Sequence, residues 1–191
     1  MGSSMSAETS KFLSYILRHA PESIGLELDS EGWADIETLI RNAQAAGQAI
    51  DAEILSRTVK DSEKKRFTVS EDGTRIRAAQ GHSIKVDLGH APARPPAQLF
   101  HGTATRFLEA ILAEGLCPGS RQQVHLSADQ ETATQVGARH GKPVVLSVNA
   151  SRMAEGGHTF FQAENGVWLT EHVPAVFLTI IETPAAGGNC Q

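Results

Sequence analysis

A change of hydrophobic rhythm, made across a stretch that supports neither helix nor inner strand, most limits what this chain can fold into. Between Asp87 and Pro96 lie Gly89, Pro92, Pro95 and Pro96. Proline fixes φ and lacks an amide hydrogen, so regular elements stop there. Before this stretch apolar residues return at helical spacing; after it they come in short, strand-like runs. Two lobes are therefore predicted, 8–86 and 97–183, with 87–96 as the linker. The 191 residues are 40% hydrophobic, enough for two small cores.

In the first lobe Phe12, Leu13, Ile16 and Leu17 share one helical face, predicting a helix from Ser10 to His19 that Pro21 stops. Met1-Gly2-Ser3-Ser4 reads as an appended leader outside the fold. Leu26-Glu27-Leu28 alternates like a short strand, and 29–32 supplies turn chemistry. Asp35 and Asp51 each precede an amphipathic run and are expected to cap helices, the first carrying Ile36, Leu39, Ile40 and Ala43 and ending near Gly47. Arg66–Ser70 and Thr74–Ala78 flank Glu71-Asp72-Gly73, a hairpin pattern. Helices followed by a small hairpin describe a winged-helix arrangement.

The second lobe is predicted to be strand-rich. Strands are expected at 99–101, 124–126, 144–148, 159–161, 166–170 and 176–181. Helices are expected at 106–114 and from a Ser127 cap to about His140. Connections between the later strands are too short for crossover helices, so a mixed sheet is expected instead of a βαβ series. The fold class is α+β.

Net charge is −5, and each half is acidic: 12 Lys+Arg against 14 Asp+Glu up to Pro96, then 5 against 8. Such a balance excludes a protein that coats nucleic acid by bulk attraction, so any nucleic-acid contact must come from a local cluster. Cys117 and Cys190 have neither disulfide nor zinc spacing, and no apolar run suggests a signal peptide or membrane span. A cytoplasmic, monomeric protein is expected. The chain lacks GxGxxG, Walker, HExxH, GxSxG and EF-hand patterns.

What remains are islands of arginine and histidine at the ends of elements. Arg18-His19 closes the first helix, where cations complement the helix dipole and a solvated end is the commoner reading. Arg66 opens the hairpin. His101-Gly102-Thr103 follows a strand, where glycine admits close approach to a flat ligand or simply makes a tight turn. His125 faces away from Val124 and Leu126, either toward a ligand or as an edge histidine. Asn165-Gly166 reads as an ordinary turn or a site element. Guanidinium groups hold phosphate with paired bonds, and imidazole moves protons near neutral pH. Together they point to a site that grips a phosphate and does chemistry beside it.

Taken in order, Ser10-Lys11-Phe12-Leu13-Ser14-Tyr15-Ile16-Leu17-Arg18-His19, Lys65-Arg66-Phe67, Gln80-Gly81-His82-Ser83, Phe100-His101-Gly102-Thr103, Val124-His125-Leu126-Ser127 and Asn165-Gly166-Val167-Trp168-Leu169-Thr170 resemble the RNA 2′-phosphotransferase (KptA-like) family. The resemblance implies a winged-helix lobe followed by an ADP-ribosyltransferase-like lobe, with a cleft between them. It implies that an RNA 2′-phosphate, as on tRNA left by splicing, is passed to NAD as co-substrate, with no metal. On that resemblance Arg18, His19, Arg66 and Arg121 are the catalytic set. His101, Gly102, Thr103, His125, Ser127 and Asn165 are NAD-side residues, and His82 and Ser83 belong to the substrate or inter-lobe side. Rival readings are an ADP-ribosyltransferase acting on protein or on nucleic-acid terminal phosphates, and a winged-helix DNA-binding regulator. The regulator would need a basic recognition helix, yet 36–46 holds only Arg41.

Overall fold

The computed structural model describes residues 2–62 and 65–181, with side chains from residue 7 onward. Cys190, Lys64 and the small-residue tail after Pro184 lie outside the described residues. Two compact units form: Met1–His90 together with Ser120–Gln122, and Ala91–Gly119 together with Gln123–Gln191. The segment Ser120–Gln122 thus belongs to the first unit although it lies deep in the second half of the sequence.

The first unit opens with helix α1 (Gly2–Arg18). Leu13, Ile16 and Leu17 are fully buried along its inner face, as the spacing predicts. The helix starts eight residues earlier than predicted and takes in Gly2–Ser4, which were expected outside the fold. No proline or capping break interrupts 2–10, so helix propagates upstream from the packed turns. Helices α2 (Ile36–Ala45) and α3 (Ala52–Lys60) follow. The Asp35 carboxylate accepts the Thr38 amide at 2.8 Å, and Asp51 accepts Ile54 at 2.7 Å. Both caps stand where the sequence put them.

Leu26-Glu27-Leu28 is not a strand. The Leu26 amide donates to the Pro21 carbonyl, closing a local turn, and the two leucines pack into the core from irregular backbone. The place of that strand is taken by β1 (Ala34–Asp35), beside the hairpin β2 (Phe67–Val69) and β3 (Arg75–Ala78), in the order β1-β3-β2. All three pair antiparallel. The hairpin turn is held by Asp72, which accepts from Ser70 Oγ, Thr74 N and Thr74 Oγ1.

In the second unit β4 (Gln98–Ala104) pairs with β6 (Pro143–Asn149), and β6 with β9 (Leu178–Ile181). A second sheet runs β5 (Val124–Leu126), β8 (Trp168–Thr170), β7 (Phe160–Gln162). Every strand pairing among the described residues is antiparallel, so the expected mixed sheet is corrected. In this unit only β7 and β8 are joined by a hairpin; the other pairs are brought together across intervening helices and strands, and each still runs in the opposite sense to its neighbour. The sheets meet where Phe100 and Ser127 exchange backbone bonds of 2.9 and 2.7 Å. That exchange commits Ser127 to extended backbone. Asp129, not Ser127, therefore caps α5 (Gln130–Ala138), accepting the Thr132 amide at 2.7 Å. Helices α4 (Leu108–Glu114) and α6 (Ala150–Glu155) complete the unit; α6, capped by Asn149, was not foreseen. The core gathers Leu99, Leu126, Leu146, Met153, Phe160 and Trp168. No helix among the described residues is long and apolar enough to cross a membrane.

α5 packs on β4 at unusually short range because both surfaces lack a Cβ. A methyl at Gly102 would overlap the Ala133 carbonyl oxygen and lie 2.8 Å from the Gly137 amide nitrogen; one at Gly137 would lie 2.6 Å from the Thr103 oxygen. Gly102→Ala should lower stability by about 2–3 kcal/mol, a fall in melting temperature of roughly 5–10 °C. Thermal unfolding followed by circular dichroism checks this; an unchanged midpoint would show that the contact is readily relieved.

Candidate anion site

The last turn of α1 delivers Arg18 and His19 to the same side of the first unit. The Arg18 carbonyl, one of the acceptors a helix end leaves unused, receives the Ser83 amide at 2.9 Å and the Ile84 amide at 3.5 Å. The Ser83 hydroxyl also donates to that carbonyl, at 3.4 Å, and lies 2.9 Å from His19 Nδ1. With the hydroxyl hydrogen directed to the carbonyl, Ser83 Oγ is left to accept from Nδ1–H. Turned to the ring instead, the hydroxyl donates to Nδ1; in both arrangements the Ser83 contact fixes the Nδ1 side of His19 and leaves Nε2 facing away from it.

Arg121 joins the same unit through its neighbour: the Gln122 side-chain amide donates to the Ile84 carbonyl, one residue beyond Ser83. Arg66 arrives from the start of the hairpin, its carbonyl bonded to the Ala79 amide and its own amide to Ser62 Oγ. Just before it, Lys65 sits at φ +41°, left-handed backbone that a non-glycine residue adopts at a cost.

Arg18, His19, Arg66 and Arg121 act on one another. The half-buried Arg18 guanidinium is lowered to about 10, first by desolvation, then by the charges of Arg121 and Arg66. Its Nε is buried with no acceptor among the described residues. Arg121 is exposed as a residue, yet loss of solvent around its guanidinium still lowers it. His19 is lowered by burial, then by Arg18 and Arg121, which favours neutral imidazole. Like charges gathered around a partly desolvated Arg18 are suited to receive an anion. All four predicted catalytic residues are thus brought together, and all from the first unit.

The pair expected on the substrate or inter-lobe side separates. Ser83 braces His19, whereas His82 is 3% exposed and its Nε2 has no partner among the described residues. The hairpin arginines Arg75 and Arg77 are engaged elsewhere, over the Trp33 ring at 5.4 and 4.5 Å, and Arg75 also reaches Asp29 at 3.5 Å.

In the second unit His101 on β4 and His125 on β5 meet, His101 Nδ1 lying 3.1 Å from the His125 carbonyl oxygen. Ser127 pairs with Phe100 one residue away. Gly102 and Thr103 are buried against α5, so the glycine serves helix–strand packing. Asn165 occupies the tip of the β7–β8 hairpin, its side-chain oxygen accepting the Val167 amide at 3.3 Å, with Gly166 at φ +82°. The reading of Asn165-Gly166 as a turn is what this geometry displays. Gln122 and Ile84 were missed by sequence reasoning, because a side-chain tether across 38 residues leaves no local pattern.

Fold and cluster define an α+β protein with an arginine-rich site of the kind that takes phosphate. The family described as RNA 2′-phosphotransferase, Tpt1 / KptA, matches residues 4–172, and the chain belongs to that family of transferases. A probable RNA 2′-phosphotransferase of Agrobacterium fabrum (strain C58) is 66% identical over 176 residues, 92% of this chain and 95% of that one. Proteins with the same description from Pseudomonas aeruginosa (strain UCBPP-PA14) and Acaryochloris marina are 58% and 57% identical. The first of these two aligns over 90% of this chain and 94% of its own length, the second over 91% and 96%.

His82 is held neutral to about pH 4, chiefly by burial and then by Arg18, His19, Arg77 and His90. Its value in the unfolded chain is about 6.5. Between these limits the unfolded state binds the extra proton, so stability should fall as pH drops from about 6.5 to 4, by roughly 2–3 kcal/mol. Urea unfolding across that window checks this, with His82→Asn expected to flatten the slope. An equal slope in the variant would assign the acid sensitivity elsewhere.

Proposed function

We propose that the protein removes an internal 2′-phosphate from RNA by passing it to NAD. A phosphate oxygen attacks the ribose C1″ that bears nicotinamide; the C1″–N bond breaks and nicotinamide leaves. The ribose 2″-hydroxyl then attacks phosphorus, and the bond from phosphorus to the RNA 2′-oxygen breaks. The hydroxyl proton passes to that oxygen, yielding 2′-OH RNA and ADP-ribose 1″,2″-cyclic phosphate.

The observation that supports this most is the crowding of three guanidinium groups and a neutral-leaning imidazole at the end of α1. The first step needs no general base, since the phosphate brings its own charge. The second builds charge at phosphorus, which Arg18, Arg66 and Arg121 are arranged to offset. No metal is assigned a part. His19, with Nε2 open and Nδ1 fixed by Ser83, is suited to move the proton. Ser83 is then a positioning residue, not a direct ligand.

We assign NAD to the second unit, with His101, His125 and Ser127 as its polar contacts, Gly102 and Thr103 shaping the strand beneath them, and Asn165 on the β7–β8 hairpin. The partly exposed imidazoles of His101 and His125 offer donors suited to ribose hydroxyls or an amide. We further read the first unit as a winged-helix lobe, its hairpin β2–β3 following three helices, and the second as an ADP-ribosyltransferase-type lobe. A 2′-phosphorylated, tRNA-like RNA and a cytoplasmic setting complete the reading.

Incubation of a 2′-phosphorylated oligoribonucleotide with the protein and NAD, followed by mass analysis, tests the whole. Dephosphorylated RNA and cyclic ADP-ribose phosphate are expected; ADP-ribosylated RNA alone would make the protein a simple ADP-ribosyltransferase. His19→Ala or Arg66→Ala should slow the second step about 100-fold or more. RNA-2′-phospho-ADP-ribose should therefore accumulate in a single turnover, and its absence would remove this division of labour. His101→Ala should raise the KM for NAD about tenfold; an unchanged value takes His101 out of the site.

A further inference from the structure

The outer face of α1 carries a groove that extends beyond the residues the reaction uses. Ala7, Ser10, Lys11, Ser14 and Tyr15, together with His19 and Arg66, line a cavity of about 400 Å³. That volume is of small-ligand size. Residues 7, 11, 14/15 and 18/19 recur three or four apart, so they lie along one side of the helix while Leu13, Ile16 and Leu17 face the core. From Ala7 to His19 the face runs about 18 Å. One end of the groove is therefore the anion cluster itself, and the other leads away from it.

Two residues give the groove its character. Tyr15 is the chain's single tyrosine and is 52% exposed, although a ring of this size ordinarily finds cover. Its ring stands 6.5 Å from the His19 ring at an interplanar angle of 45°, so it borders the same opening as the proposed proton carrier. Among the described residues no carboxylate pairs with Lys11, and the serine hydroxyls at 10 and 14 can each give or take a hydrogen bond. An exposed aromatic face, a free ammonium and two hydroxyls next to a phosphate-holding cluster match an unpaired ribonucleotide. The base stacks on the ring, the backbone phosphate meets the lysine, and the ribose meets the hydroxyls.

Resting on the proposed reaction, we infer that this groove holds the nucleotide adjoining the 2′-phosphorylated one, with its base splayed out onto Tyr15 and its phosphate on Lys11. Stacking is indifferent to base identity but requires a base free of its own helix. The enzyme would thus select unpaired RNA around the modified ribose over duplex, without reading sequence.

The test uses a fluorescently labelled pentaribonucleotide with a central 2′-phosphate, in versions lacking the base on either side of it. Turnover with NAD and equilibrium binding are both measured. Tyr15→Ala should raise the KM for the intact oligonucleotide about tenfold or more, with the loss falling in KM rather than kcat, and Tyr15→Phe should restore it to within about twofold. Removing one flanking base should weaken the unsubstituted protein by a similar factor and add nothing in Tyr15→Ala. Lys11→Ala should reduce the salt dependence of binding by about one phosphate contact. Thermal unfolding identifies any variant that fails to fold; an exposed ring makes Tyr15→Phe and Tyr15→Ala safe in that respect. Normal turnover with KM within about twofold in Tyr15→Ala and Lys11→Ala would dismiss the groove and leave the reaction standing. Absence of turnover in the unsubstituted protein, with binding still lost in Tyr15→Ala, would dismiss the reaction and keep the groove. Binding unaffected by either substitution dismisses the groove whatever the turnover. Equal affinity for the matching duplex would also overturn it, since a paired base cannot stack on the ring.

Discussion

The candidate site depends on one carbonyl. At the end of α1 the Arg18 oxygen accepts the amides of Ser83 and Ile84, and so ties the helix terminus to a loop more than sixty residues later. Ser83 then reaches His19, and the Ile84 carbonyl receives Gln122, which brings Arg121. Three cations crowded together repel one another, and left to side chains alone they would spread into solvent. Here the backbone does the holding. Helix end, loop and returning segment are linked by neutral hydrogen bonds, which keep the three cations near one another.

This division of labour explains which features were readable beforehand. Asp35 and Asp51 could be read as helix caps because each stands immediately before an amphipathic run, and the cap is a contact between near neighbours. Arg66 at the head of the hairpin follows from the turn at 71–73. Ser127 and Asp129 both have capping chemistry, and only the long-range exchange between Ser127 and Phe100 decides for Asp129. Leu26 and Leu28 alternate as a strand would, but their position is governed by core packing and by a local turn onto Pro21. Alternation over three residues satisfies either outcome.

The four catalytic candidates were nameable by resemblance: Arg18, His19 and Arg66 sit in short motifs, and Arg121 stands three residues ahead of another. Their membership in one unit was not, because Arg121 reaches the others by way of a glutamine whose partner is a main-chain oxygen. No charge pattern, spacing or periodicity records such a tether. The same holds for Gly102: the residue is visible in the motif, but the reason for it is the backbone of α5, and Gly137 supplies the matching absence of a side chain.

Lys65 carries a consequence of its own. Its left-handed backbone aims the chain immediately ahead of Arg66, so the guanidinium starts from a direction that a relaxed peptide would not choose. Replacing Lys65 by glycine relieves that conformation but also widens the unfolded ensemble and frees the approach to Arg66. A chain made more comfortable there would aim the Arg66 guanidinium less firmly. Rigidity is thus maintained at the residue beside the candidate one.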